Sequence, residues 1–497
     1  MIGRRRVSRN VRPHDPWRLL RYALLIFLLA GLLAAGIVIR REAQTSAFQA
    51  RNLARLGRQM TFAVEPGVSD SIRMPGDGPY DQRLGYSALP RLMERLPALG
   101  YPITAQTRIS AEMAEVADRS LFLPYREKTQ AGLSVLDCAN QAVVSARYPE
   151  RVYPDFDAVP SLVTNSLLFI ENRELLSNQY KTTNPAVEWG RFARAAFDQV
   201  LQQFTPGHDA AGGSTLATQI EKYRHSPGGR TTSGTDKLRQ IASASLRAYL
   251  DGEDTTATRR QLVLGYLNTV PLAARRGYGE VIGIGDGLWA WYGRDFDEIN
   301  AVLRDASAPL EQRALAYKQA LSLLISQRRP SGYLSGQTAA LEKLTDSYLR
   351  LLATESVVST ELRDAALAVH LVQAPGIPEL PRSSFVSRKA ASAARTTLAG
   401  LLDIRNLYAL DRLDLTASST IDLALQERVA AALQAISSPR GAAAAGLLEQ
   451  RLLAKSDPAN VIYSFSLFER TPDANLVRVQ TDNYEQPLDI NEGVRLD

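Results

Sequence analysis

Chemistry is most legible in this 497-residue chain at Gly212-Gly213-Ser214-Thr215-Leu216-Ala217-Thr218-Gln219-Ile220-Glu221-Lys222. Two glycines let the backbone turn tightly and approach a ligand, two hydroxyls and an amide offer hydrogen bonds, and Lys222 follows Gln219 at helical spacing. Such a loop suits an anionic, sugar-like substrate. Alone, it reads first as a Gly-Gly turn whose Ser214 caps a helix start. Three more strings change that reading. Glu171-Asn172-Arg173-Glu174-Leu175 precedes the loop, and Asp236-Lys237-Leu238-Arg239-Gln240 and Leu262-Val263-Leu264-Gly265-Tyr266-Leu267-Asn268 follow it. Glu171 has Leu167, Leu168 and Leu175 at minus four, minus three and plus four. In a helix that apolar setting would raise a carboxylate toward the working range of a general base. Lys222, Lys237 and Arg239 are cations suited to a phosphate, or else a solvated helix face.

In this order the strings resemble the motifs of the peptidoglycan glycosyltransferases of family 51, the transglycosylase domains of class A penicillin-binding proteins. The family patterns are Glu-Asp-x-x-Phe, Gly-Gly-Ser-Thr-x-x-x-Gln, Arg-Lys-x-x-Glu and Ile-Leu-x-x-Tyr-Leu-Asn. Trp291-Tyr292-Gly293-Arg294 is similar to the family's Tyr-Phe-Gly-Lys, and the resemblance covers about residues 158–335. It implies polymerisation of lipid II, with the 4-hydroxyl of one disaccharide displacing undecaprenyl diphosphate from the anomeric carbon of another. Glu171 then matches the family's base and Lys237 its diphosphate lysine, with Lys222 and Arg239 as further cations. Gly213, Ser214, Thr215, Gln219, Gln240 and Asn268 complete the expected substrate site, although Asn268 reads equally as a helix brace. No residues are assigned as metal ligands, and the one cofactor the resemblance allows is a divalent ion, Mg or Mn, accompanying the diphosphate. The departures are specific: the second motif glutamate is Gln240, its arginine is Asp236, and Asn172, Leu175 and Asn178 replace an aspartate, a phenylalanine and a histidine. Two readings stay open, an active transferase working with one carboxylate and a catalytically silent homologue that binds lipid II or regulates partner synthases.

The elements that must position these residues begin with a membrane signal. Residues 22–39 hold no charge, span about 27 Å as a helix and are followed by Arg40 and Arg41, which favours an uncleaved anchor over a signal peptide. Seven arginines and one aspartate in residues 1–21 account for the whole net charge of +6. They place the N-terminus in the cytoplasm and the body outside the bacterial inner membrane, and they leave a formally neutral body with no groove for nucleic acid. Cys138 is the only cysteine, so no disulfide forms within the chain, and the four histidines do not cluster.

The expected architecture is mainly α. It comprises a basic tail (1–21), the anchor (22–39), a polar stalk with a small α/β lead-in (40–157), a lysozyme-like glycosyltransferase domain (158–335) and a helical linker (336–399). Residues 400–497 close the chain with strand-like alternation and a string, LTASSTIDLALQER, that looks like the opening of a transpeptidase domain. No serine is followed by a lysine three positions on, so the Ser-x-x-Lys motif is missing and this segment reads as an incomplete transpeptidase-like α/β unit. The glycines at 277–287 fail the dinucleotide spacing and are expected in turns and helix packing, and Trp289 and Trp291 are expected in the core.

Overall fold

The computed structural model describes residues 16–76, 78–189, 214–378, 385–448 and 457–483. Helix α1 (Pro16–Thr45) contains an apolar stretch, Leu24–Thr45, of mean hydropathy 2.2, whose most apolar part is not buried. It is the one helix among the described residues long and apolar enough to cross a membrane. The expected polar stalk takes a different form. The chain turns at Ser46, in the left-handed region at φ 52°, and enters α2 (Ala47–Gln59), which docks on the body instead of standing free. Ala50 and Ala54 are fully buried, and a Cβ at Gly57 would lie 2.9 Å from the Tyr249 carbonyl oxygen. Small residues on one helix face let two backbones meet, and the arginines occupy the other face. The junction is tied down as well: the Glu42 carboxylate accepts from the backbone N–H groups of Phe48 (2.8 Å) and Gln49 (3.0 Å), and Asn184 donates to Gln49 at 2.9 Å.

The main core runs from Tyr153 to Leu371. It is built by α3 (Ser161–Glu171), α4 (Leu216–His225), α5 (Gly234–Ala248), α6 (Thr256–Thr269), α7 (Gly283–Tyr292) and α8 (Leu310–Ser326). From Ala316 to Ser326 every residue of α8 is buried, as a helix apolar around most of its circumference must be. Helices α9 (Thr338–Thr354) and α10 (Thr360–Ala368) pack on it with Leu341, Leu349, Leu352 and Ala366 fully buried. Lys318 is fully buried, forms ion pairs with Glu342 (3.3 Å) and Asp346 (2.8 Å), and donates to the Val369 carbonyl at 2.7 Å. Residues 338–371 are thus part of the main domain and not a linker. Their amphipathic pattern was legible, but a pattern does not say which body its apolar face will cover. The glycines of α7 pack as expected, since a Cβ at Gly285 would lie 2.3 Å from the Arg151 carbonyl. Trp291 is buried and donates to the Leu272 carbonyl at 3.0 Å.

Strand β1 (Phe62–Pro66) pairs antiparallel with β2 (Ala105–Ile109) ahead of this domain. The next strand, β3 (Leu133–Leu136), pairs antiparallel with β4 (Ala142–Ser145) and, on its other side, parallel with β5 (Leu415–Ser418). Lead-in and trailing residues therefore share one sheet and one core, in which Leu133, Ala390 and Leu410 are fully buried. The two flanks read from sequence as separate modules form a single body. The alternation near the C-terminus is an antiparallel hairpin, Ser464–Arg470 with Asn475–Asp482.

Candidate active site

Helix α3 ends on Glu171, whose side chain faces a cleft of about 960 Å³. One carboxylate oxygen accepts from the Gln219 amide at 2.5 Å and the other from the Gln327 amide at 2.9 Å. The leucines expected around it point elsewhere, with Leu167 and Leu175 buried in the core. Polar amides, not apolar side chains, surround the carboxylate, because the last residue of a helix is already turning away from the face its predecessors bury.

Gln219 and Lys222 lie three apart on α4 and both face the cleft. The start of α4 is fixed by a reciprocal cap, in which Thr218 N–H donates to the Thr215 hydroxyl (3.3 Å) and Thr215 N–H to the Thr218 hydroxyl (2.9 Å). Just before it, Ser214 lines the cleft and accepts from the Lys237 ammonium at 2.7 Å. Burial lowers the Lys237 pKa from its ordinary value, and the Lys222 charge lowers it further. Two ammonium groups and a hydroxyl thus converge near Glu171. The cleft continues past Gln219, Lys222, Gln327 and Arg328 into a compartment of about 450 Å³ that adds Arg230 and Arg329. A carboxylate beside a row of cations can take a proton at one end and hold an anionic group at the other.

Four expected site residues lie outside the cleft. Thr215 is buried as the helix cap. Asn268 is buried and bonds both backbone groups of Tyr153, each at 2.9 Å, so it braces that backbone away from the cleft lining. Gln240 is fully buried and donates to the hydroxyls of Ser226 (3.0 Å) and Thr231 (2.9 Å), bracing the turn that carries Arg230 into the cleft. Arg239 is two residues beyond Lys237, about 200° around the helix. It stacks at 5.8 Å over Phe122, in a cavity lined by Tyr80 and His225. Gly213, like Gly212, lies outside the described residues.

Sequence reasoning missed Gln327, Arg328, Arg329 and Arg230. The only signal for the first three was a polar, cationic string directly after the apolar run of α8. It also missed a buried ionic cluster behind α4. Glu127 accepts from Arg224 (2.5 Å) and His225 (2.7 Å) and pairs with Arg247 (2.8 Å), while the other nitrogen of His225 lies 3.1 Å from Asp81. Burial opposes the His225 charge, but the charge of Glu127 and bonds to Asp81 and Glu127 outweigh it and push the pKa up to about 9.

Residues 139–353 match the family model described as Transglycosylase. No curated protein matches the chain. The matched range includes Glu171, Ser214, Gln219, Lys222, Lys237 and Gln327, and thus every side chain that converges on the reacting end of the cleft. That range is similar to the transglycosylase family, and the likeness supports a glycosyltransferase role in peptidoglycan synthesis.

Proposed function

We propose that this chain polymerises lipid II into glycan strands and releases undecaprenyl diphosphate. The observation that carries the reading is the juxtaposition of Glu171 with Lys222 and the Lys237–Ser214 pair in one cleft. Glu171 takes the proton of the attacking 4-hydroxyl while the new O4–C1 bond forms. The bond between C1 and the diphosphate oxygen breaks on the opposite face, which inverts the carbon. Diphosphate is a good leaving group without protonation, so the site needs a base and cations more than a general acid. Lys222, Lys237, Ser214 and Arg328 are placed to steady the charge that builds on the departing oxygens. Among the described residues no group of three His, Cys, Asp or Glu side chains gathers to hold a resident metal. A Mg or Mn ion would enter on the diphosphate itself.

The position of Gln240 favours this reading over a silent lipid II-binding homologue. It is buried behind the cleft, so losing a carboxylate there changes a brace and leaves the reacting atoms untouched. Helix α1 would hold the body at the membrane surface, where a lipid-linked substrate is found, with the arginine-rich tail on the cytoplasmic side. The test is incubation of the full chain with labelled lipid II, with and without divalent metal, and separation of glycan chains by gel. Polymer is expected. Retained lipid II binding with no polymer under any condition would sink the enzyme and leave the adaptor. Lys237→Met is expected to lower the polymerisation rate about 10- to 100-fold, the worth of one hydrogen bond to a charged group, as measured by initial rates over a lipid II series.

A further inference from the structure

Glu171 is gripped from two separate elements. Gln219 belongs to the motif helix α4, whereas Gln327 is the residue immediately after α8, whose residues from Ala316 to Ser326 are all buried. The negative end of α3 lies at Glu171 itself, an unfavourable place for a carboxylate, so orienting donors on both oxygens have a clear role. Below it lies Tyr266, whose buried hydroxyl has no hydrogen-bond partner among the described residues and is pushed up by burial first and by the Glu171 charge second. We infer that Gln327 is a positioning residue for the transferase reaction, bracing one oxygen of the Glu171 carboxylate from α8 and so fixing the direction from which the carboxylate meets the sugar hydroxyl. Resting on the transferase reading, this assigns a role to a residue that none of the recognised strings contains.

Among the described residues, the other charged or titratable groups facing Glu171 are Arg173 and Glu174 beyond α3, Glu188, Lys222 on α4, Tyr266 on α6, Arg328 after Gln327 and Tyr348 on α9. Two substitutions separate positioning from packing. Gln327→Leu keeps the volume and loses the donor. It is expected to lower kcat about 10- to 100-fold with KM for lipid II unchanged, the effect of a displaced reacting group. Gln327→Glu sets a second carboxyl against the first. It is expected to be slower still at neutral pH and to recover on acidification as the introduced carboxyl protonates and donates again, a recovery that Gln327→Leu does not show. A purely structural role would lower the thermal midpoint and the rate together at all pH values in both variants. The second readout needs no turnover: carbodiimide labelling of Glu171 in the full chain, followed by mass spectrometry, is expected to rise several-fold in Gln327→Leu. Raised labelling in Gln327→Leu beside a wild type that makes no polymer leaves the clamp standing and removes the transferase. Polymer formation with unchanged kcat and unchanged labelling in Gln327→Leu overturns the clamp.

Discussion

Glu171→Gln is expected to leave the chain folded and to reduce lipid II polymerisation by about 10²- to 10⁴-fold, the range for loss of a general base. The side chain stays the same size and lies at the cleft wall, so packing is not disturbed. One of its two ends becomes an N–H group that meets either Gln219 or Gln327 donor to donor, which a flip of the neighbouring amide relieves. What disappears is the only function the carboxylate has in the mechanism, accepting the proton of the attacking hydroxyl. Single-turnover rates on labelled lipid II, read beside the thermal midpoint of each protein, make the comparison. A variant that stays within tenfold of the wild type would place the base elsewhere.

The second large effect is on stability. Glu127→Ala should cost about 3–5 kcal/mol, because it takes the carboxylate from buried Arg224 and leaves Arg247 and His225 with one acidic partner each, Glu221 and Asp81. The same cluster sets a pH window. His225 has a folded pKa of about 9, raised above its unfolded value, so its contribution is complete below about pH 6.5 and is lost as pH climbs through 9. Burial opposes the Glu127 charge, but Arg247, His225 and Arg224 hold its carboxyl well below the ordinary value. Its contribution is therefore present above about pH 4.5 and fades only in stronger acid. Denaturant unfolding of the wild type should accordingly show greatest stability between these limits. In Glu127→Ala the loss between pH 6.5 and 9 should shrink, since the main source of the His225 shift has gone. An unchanged alkaline loss would show that Glu127 does not set it.

Legibility followed the range of the interactions. Helix α1 announced itself through an uncharged run, and Glu171, Ser214, Gln219, Lys222 and Lys237 through local strings, because helix ends and i to i+3 spacing are properties of neighbouring residues. Arg239 and Gln240 share a string with Lys237 but not its surroundings: which face of α5 meets the cleft depends on what α5 packs against. Thr215 and Asn268 are types that bind sugars and types that cap or brace with equal ease, and burial decides between those roles. Gln327 belongs to no local pattern around Glu171, being 156 positions away, and Glu127 stands 97 positions from its α4 partner Arg224. The end of the main domain was placed too early for the same reason, since Leu341 and Leu349 declare an apolar face without naming α8 as its cover.

The parallel pairing of β3 with β5 joins two stretches of chain that lie on either side of the glycosyltransferase domain. That domain is in effect an insert threaded through a clasp whose halves come from opposite flanks. Excising residues 139–353 alone would cut through the loop before β4 and strip β4 of its partner β3, which stays behind with β5. Anyone wishing to produce a minimal soluble catalytic fragment should therefore trim the apolar helix and keep both halves of the clasp.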